Sequence, residues 1–162
     1  DVYKRQVGTV VTKLLIQALP DLAIFGEKDY QQLLVIKRLT RDLDIPAEII
    51  GAPTIREADG LAVSSRNVFL SKANRETASK VSEILRKTAT AIALGNDVLV
   101  ACEEARSKLM LAGFSEIDYF EARHSETLEL IHNFEKNGRL FAAVWLGSTR
   151  LIDNLEIKEY TD

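Results

Sequence analysis

The stretch that decides the fold reads Ile24-Phe25-Gly26-Glu27-Lys28-Asp29-Tyr30-Gln31-Gln32. The apolar run Leu22–Phe25 is typical of a short buried parallel strand. Gly26 then lets the backbone turn or lets a ligand approach it closely. Helical spacing predicts that a helix follows, with an apolar stripe formed by Tyr30, Leu33, Leu34 and Ile36. A strand that breaks at a glycine before a helix N-terminus is typical of an anion-binding site.

Lys28 is the residue of this stretch that most favours a bound anion. It is expected in the first turn of the helix, where the positive end of the helix dipole disfavours a cation by about 0.3–1 kcal/mol. A bound phosphate would remove that penalty. Gln32 follows one turn later, so both side chains are expected on one face. An ordinary strand-turn-helix with a solvated lysine is equally consistent with the stretch.

The composition is that of a soluble globular protein with a small-molecule ligand. The 162 residues are 46% hydrophobic and 28% charged, which suits one ordinary domain or two small ones. The net charge of -3 argues against nucleic acid as a partner, and no segment indicates a membrane. A single cysteine, Cys102, excludes a disulfide framework and a cysteine-based metal site. These features favour the reducing cytoplasm.

The first part of the chain alternates helices and strands. Residues 1–6 are polar, and we interpret them as foreign to the fold. Residues 7–18 have helical spacing, the helix after Gly26 is predicted to end near Asp42, and 47–53 form a second apolar strand. Alternating elements indicate a parallel sheet, whose ligands bind beyond the carboxyl ends of the strands.

Residues 54–67 follow the second strand as a long polar loop. Loops of this length without secondary structure are usually functional or mobile, and the hydroxyl and guanidinium donors of this one suit a polyphosphate. A surface loop in which Ser64 or Ser65 caps a helix is as consistent with the composition. In the functional interpretation, Lys28 and Ser64-Ser65-Arg66 contact the phosphates of one nucleotide and Asp29 accepts from its ribose.

Two helices are predicted next. Ser71 is the expected N-cap of one long helix that ends at Gly95, and Asp97 is the expected N-cap of a second helix up to Gly113. The pair forms an αα-hairpin. The apolar residues of the second helix at helical spacing are Val100, Ala101, Ala105, Leu109 and Met110.

The remaining residues predict three strands at 116–122, 139–146 and 149–153, with a turn at Gly147-Ser148. Antiparallel strands after a helical hairpin form a small α+β unit, which places a domain boundary near residues 60–70. The only histidines, His124 and His132, have no third ligand at metal spacing, so we interpret both as surface residues and predict no protein-bound metal.

Three groups of residues closely resemble the pantothenate synthetase family of ligases, which join pantoate to β-alanine. The first two together are highly specific, and the resemblance runs from about Val7 to the C-terminus. They are Phe25-Gly26-Glu27-Lys28-Asp29-Tyr30-Gln31-Gln32, the run Gly51–Asn67, and Ala143-Val144-Trp145-Leu146-Gly147 with Arg150-Leu151-Ile152-Asp153-Asn154.

The resemblance implies an α/β fold with part of a Rossmann-like parallel sheet of the class I aminoacyl-tRNA-synthetase-like nucleotidyltransferase type. Residues 1–62 would complete this nucleotide-binding domain, and 63–162 would form a small α+β C-terminal domain. The implied activity is that of an ATP-dependent acid–amine ligase in coenzyme A precursor synthesis. Pantoate and Mg²⁺-ATP give pantoyl adenylate and pyrophosphate, and β-alanine then displaces AMP. A cytoplasmic homodimer is implied as well.

The resemblance also assigns roles to individual residues. Gly26, Glu27 and Asp29 belong to the ATP site, with Gly26 and Asp29 at the ribose, and Ile55 contacts adenine through its backbone. Val63-Ser64-Ser65-Arg66 corresponds to a mobile loop that closes on the triphosphate. Gln32 hydrogen-bonds pantoate. The implied catalytic residues are Lys28, Ser64, Ser65 and Arg66.

One departure from the family pattern limits the activity we expect of these 162 residues. Members of the family begin with a strand and a loop whose paired histidines bind ATP phosphates, and neither His124 nor His132 corresponds to that pair. We therefore interpret the chain as a C-terminal portion with weak or no activity alone. A non-catalytic nucleotide-binding or dimerisation module is an alternative. An adenylyltransferase for another substrate would have a different residue at Gln32.

Overall fold

A computed structural model describes residues 2–134 and 136–158, with side chains from residue 6 onward. The chain divides into two compact units between Thr54 and Ile55, earlier than the predicted domain boundary after residue 62. The elements are α1 (Val2–Ala18), β1 (Leu22–Gly26), α2 (Tyr30–Asp42), β2 (Glu48–Ala52), α3 (Lys72–Ala78), α4 (Lys80–Ala93), α5 (Val98–Leu111), β3 (Glu116–His124), β4 (Gly138–Leu146) and β5 (Thr149–Glu156), with 3₁₀ turns at Glu27–Asp29 and Ser65–Phe69.

The first unit contains the predicted parallel sheet. β1 pairs with β2 in parallel, from Leu22 opposite Glu48 to Gly26 opposite Ala52. The expectation that β1 is buried is wrong for the described structure, because Leu22 is 54% exposed and Ile24 is 69% exposed. Side chains alternate between the two faces of a strand, and these two point away from the face that α2 covers.

α1 and α2 pack against each other in the first unit. Leu33 and Ile36 of α2 are fully buried, as their helical spacing predicts. α1 begins at Val2, so residues 2–6, which we interpreted as foreign, continue that helix, and Asp1 lies outside the described residues. On α1, Leu15 is buried, whereas Val10 and Leu14 are exposed.

The second unit packs α4 and α5 on one face of an antiparallel sheet with the strand order β3-β4-β5. The predicted αα-hairpin and antiparallel strands are thus confirmed. Ser71 and Asp97 cap α3 and α5 by accepting hydrogen bonds from the Asn74 and Val100 backbone N–H groups. Alternate residues of β4 join the core between sheet and helices, namely Leu140, Ala142, Val144 and Leu146.

Two details of the helical hairpin differ from the prediction. The single long helix after Ser71 is interrupted at Ser79, whose hydroxyl donates to the Glu76 carbonyl (3.0 Å) and so competes with the helical backbone pattern. On α5, Val100 and Met110 are exposed, and the buried face consists instead of Val98, Ala101, Cys102, Ala105 and Leu109. Burial raises the pKa of the Cys102 thiol to about 11.

Within the described residues, no helix combines the length and the apolar character that crossing a bilayer requires.

Candidate functional site

The predicted site residues fall into two groups, one in each compact unit. In the first unit, Gly26 ends β1 with an extended backbone (φ −69°, ψ 137°) that any residue can adopt. A turn therefore does not require glycine here. A Cβ atom built on Gly26 would meet no heavy atom within 4 Å, so the backbone is open to a close approach. Of the two roles that the sequence allows for Gly26, the turn does not need glycine, and close approach of a ligand stays a prediction.

Lys28 precedes α2 rather than lying inside its first turn. Lys28 lies in the 3₁₀ turn Glu27–Asp29 that comes before α2, and Asp29 has non-helical backbone angles (φ −97°, ψ 74°). The Asp29 side chain accepts a hydrogen bond from the Gln32 backbone N–H (3.2 Å), which makes Asp29 the N-cap of α2. The prediction that Lys28 and Gln32 lie one turn apart in the same helix is therefore wrong. Both side chains are half-buried.

Glu27 packs over the neighbouring strand. A Cβ atom at Gly51 would lie 3.0 Å from Glu27 Oε1 and 2.9 Å from Leu33 Cδ2, so the lack of a side chain at Gly51 makes room for both residues. Leu33 of α2 is fully buried. Gly51 thus lets the turn that carries Lys28 lie close against the sheet.

The second group lies on a segment that has its own structure, contrary to the prediction of an irregular loop. The Glu57 N–H donates to the Leu61 carbonyl (2.8 Å) and the Val63 N–H donates to the Ile55 carbonyl (2.9 Å). We call residues 55–63 the hairpin segment. Its tight turn ends at Gly60, whose φ of +90° suits glycine. Leu61 and Ala62 are buried in the second unit.

The residues Val63–Arg66, which we call the serine segment, begin at the last residue of the hairpin segment. Val63 is 49% exposed, and the side chains of Ser65 and Arg66 are exposed as well. Ser64 accepts from the Arg66 backbone N–H (3.2 Å) and caps the 3₁₀ turn Ser65–Phe69, so the capping role that the sequence allowed is present. A cap uses one lone pair of the hydroxyl, which still has its own proton to donate.

Asn67 holds the far end of the serine segment. Its side-chain amide donates to the Ala62 carbonyl (3.2 Å) and to Glu57 Oε1 (3.1 Å), which ties the 3₁₀ turn back to the hairpin segment. Arg75 of α3 donates to Glu57 (2.6 Å) and to Asp59 (2.5 Å), and its hydrogen bonds lower the pKa of both carboxyl groups. A chain of polar contacts therefore surrounds the turn at Gly60.

The guanidinium of Arg56 makes its contacts within the second unit. It makes a two-pronged ion pair with Asp153 of β5, with Nη1–Oδ2 and Nη2–Oδ1 distances of 2.7 and 2.9 Å, and Nη1 also donates to the Gly60 carbonyl (3.1 Å). The Asp153 side chain is 4% exposed and that of Arg56 is 25% exposed. The sequence reasoning missed this pair. The one feature of the sequence that could have indicated the pair is a carboxylate at a strand position that faces the core. Asp153 is opposite the buried Ala142 in the register, and a buried carboxylate needs a partner.

The two histidines lie in the second unit, with His124 at the end of β3. His124 Nδ1 accepts from the backbone N–H of Glu126 (3.2 Å), and His132 is exposed. Among the residues that the structure describes, no group of three or more His, Cys, Asp or Glu side chains could hold a metal ion.

Comparison with known proteins identifies the family. The sequence profile described as Pantoate-beta-alanine ligase matches residues 2–156. The chain belongs to this family. It is 55% identical over 151 residues to a pantothenate synthetase of Mesorhizobium japonicum, covering 93% of this chain and 53% of that protein. A relative from Chelativorans is 50% identical over 153 residues, covering 94% of this chain and 54% of that protein.

Solved structures of the family have the same fold as this chain. A Thermus thermophilus pantothenate synthetase is 41% identical with a TM-score of 0.89, over 93% of this chain and 55% of that one. A Francisella tularensis ligase, described as complexed with beta-gamma ATP and beta-alanine, is 36% identical with a TM-score of 0.70 over 93% of this chain and 49% of that one. The predicted nucleotidyltransferase fold is thus confirmed, and the chain spans about half the length of the relatives it matches.

Proposed function

We propose that the chain forms part of an ATP-dependent ligase that joins pantoate to β-alanine. The pantoate carboxylate attacks the α-phosphorus of ATP, pyrophosphate leaves, and pantoyl adenylate forms. The amine of β-alanine then attacks the acyl carbon, AMP leaves, and the nitrogen loses a proton. The observation that carries the proposal is the match of the family profile across residues 2–156.

In this reaction the protein mainly positions the reactants and neutralises phosphate charge. The residues around β1 are suited to the first step. Lys28 supplies a cation beside the N-terminus of α2, and both the cation and the helix end attract phosphate. The open backbone at Gly26 and the second oxygen of Asp29 are assigned to the ribose. Gln32 is assigned to pantoate, because its amide can both donate to a carboxylate and accept from a hydroxyl.

The residues of the second unit are assigned to the rest of the nucleotide. Ser64, Ser65 and Arg66 provide hydroxyl and guanidinium donors for the triphosphate. Ile55 is assigned to adenine through its backbone, although its carbonyl already accepts from the Val63 N–H and offers only its second lone pair. Glu27 completes the ATP-binding set by holding the turn of Lys28 against Gly51.

Magnesium enters the proposal as part of the substrate Mg²⁺-ATP. The described residues provide no cluster that could hold a metal ion by itself. Mg²⁺ usually binds through substrate phosphates, waters and one or two carboxylates, so a site completed by ATP fits this chain. From the resemblance to the family, we also propose that the ligase is a homodimer and that it works in the cytoplasm.

A chimera tests the proposed activity. Residues 2–156, the range that matches the family profile, replace the corresponding segment of the Mesorhizobium japonicum relative, so that the other part of the ligase is present. We expect pantoate-dependent pyrophosphate release at a rate within about tenfold of the parent enzyme, because the two segments are 55% identical and should position the substrates in the same way. A chimera that folds but releases no pyrophosphate would refute the proposal. The 162 residues alone are expected to release little.

A non-catalytic nucleotide-binding or dimerisation module is the second candidate, because the open backbone at Gly26 and the Lys28 cation beside the N-terminus of α2 would suit nucleotide binding without catalysis as well. It predicts that the 162 residues bind ATP without releasing pyrophosphate, and that the chimera binds ATP but does not form pantothenate. Activity of the chimera therefore separates the two candidates.

Replacing Gly26 with alanine gives a prediction specific to the ribose contact. The variant should fold as well as the parent, because its φ is ordinary and its Cβ would meet no atom within 4 Å. In the chimera, we expect KM for ATP to rise about tenfold, or about 1.4 kcal/mol, because the methyl group displaces the nucleotide.

Gly51→Ala is the matched comparison for Gly26→Ala. Its Cβ would lie 2.9 Å from Leu33 Cδ2, so this variant should lose stability. Thermal melting and ATP titration measure the two effects. Unchanged ATP kinetics in Gly26→Ala would remove Gly26 from the site.

A further inference from the structure

The Arg56–Asp153 ion pair fixes the hairpin segment to β5, just before the exposed serine segment begins. Its members are far apart in sequence, and the pair joins the hairpin segment to β5. Asp153 Oδ1 accepts from both Arg56 and the Asn154 backbone N–H (2.8 Å), so the nearly buried carboxylate accepts three hydrogen bonds in all. Such a bidentate pair fixes direction as well as distance.

The chain changes from buried to exposed at the start of the serine segment. Leu61 and Ala62 are buried, Val63 is half exposed, and Ser65 and Arg66 are exposed. Asn67 closes the far side with its hydrogen bond to the Ala62 carbonyl, and the 3₁₀ turn Ser65–Phe69 contacts β5, the strand that carries Asp153. The exposed residues of the serine segment therefore lie between two fixed points, the buried end of the hairpin segment and Asn67, which bonds back to that segment.

Arg56 reinforces this arrangement within the hairpin segment. The same guanidinium that binds Asp153 donates to the Gly60 carbonyl, at the turn that Arg75 holds through Glu57 and Asp59. A lysine could keep the charge at this position but could not make all of these contacts, because an ammonium lacks the planar fork.

We propose that the Arg56–Asp153 pair is a positioning device that holds the serine segment in the orientation in which it contacts the ATP phosphates. The inference rests on the proposed function, because it takes the phosphates as the target of Ser64, Ser65 and Arg66. Arg56 and Asp153 are positioning residues in this account, because they act through the serine segment and touch no substrate.

Hydrogen exchange of the 162-residue chain tests the structural half of the proposal. In Arg56→Gln, the backbone amides of residues 63–67 should exchange at least about tenfold faster, because the anchor of the segment is lost. A variant that only lowered overall stability would accelerate exchange in α4 and α5 and leave this exposed segment unchanged. Arg56→Lys should give an intermediate rate and serves where Arg56→Gln does not fold.

Arg123→Gln is the matched control. Arg123 pairs with Glu121 on β3 (2.7 Å), and their side chains are 27% and 26% exposed, so the arginine is as exposed as Arg56. It should leave exchange at 63–67 unchanged. In the chimera, Arg56→Gln should raise KM for ATP at least about tenfold with a smaller effect on kcat, whereas Arg123→Gln should change neither.

The outcomes separate the inference from the proposed function. Unchanged exchange at 63–67, or faster exchange there with an unchanged KM for ATP, would overturn the positioning role. A folded parent chimera without ligase activity would refute the proposed function and with it the role toward phosphate, while the exchange data still decide whether the pair orders the serine segment. Local loosening together with a higher KM is the expected result.

Discussion

Replacing Lys28 with alanine should lower the rate of adenylate formation by about 100- to 1,000-fold in the chimera. Charge develops on the α-phosphate and the leaving pyrophosphate during this step, and removing one preorganised donor from such a site typically costs this much. Lys28 is half-buried beside the capped N-terminus of α2, where the helix end adds to its attraction for phosphate. Pyrophosphate release in a single turnover measures the rate directly.

Two further variants show whether the effect belongs to Lys28 itself. Lys37→Ala removes an exposed lysine from α2 and should leave the rate unchanged. Lys28→Arg keeps the charge but alters its geometry, so it should retain part of the activity. A single-turnover rate in Lys28→Ala equal to that of Lys37→Ala would exclude Lys28 from the mechanism.

The sequence predicts those parts of the fold that depend on local patterns. Short strand-like runs locate β1 to β5, helical spacing locates α2 and α5, and the caps Ser71 and Asp97 follow from residue type alone. The break at Ser79 was not predictable, because a serine hydroxyl can face solvent or bond to the backbone with little difference in energy. The exposure of Ile24 depends on what covers the sheet, which its strand pattern does not specify.

The sequence likewise predicts only those parts of the candidate site that depend on local patterns. Gly26 and Lys28 stand out because a strand, a glycine and a charged turn follow one another in sequence. The sequence pattern does not predict the regular structure of residues 55–67, because that structure depends on Asp153, which is far away in the sequence. A pattern within a short window cannot reveal which distant carboxylate an arginine binds, so Arg56 was grouped with the donors that suit phosphate.

Removing Arg56 should destabilise the second unit strongly. Arg56→Leu leaves the 4%-exposed Asp153 carboxylate without its guanidinium, and breaking a buried pair in this way costs about 3 kcal/mol, the lower end of the usual range because Arg56 is 25% exposed. Asp153→Asn should cost less, about 1–2 kcal/mol, because the amide keeps an acceptor oxygen and Arg56 keeps the Gly60 carbonyl.

A double-mutant cycle in urea measures the coupling between the two residues. Trp145 is the only tryptophan in the sequence and lies in the second unit, where its indole donates to Asp118 (2.8 Å), so its fluorescence reports the unfolding of the unit that contains the pair. The double variant should cost at least about 1 kcal/mol less than the sum of the single variants, because the unpaired carboxylate is then absent. Lys108→Met breaks a well-exposed pair with Glu104 and should cost less than about 1 kcal/mol. Additive costs in the cycle would mean that Arg56 and Asp153 stabilise the unit independently, and the hairpin segment would then need another anchor.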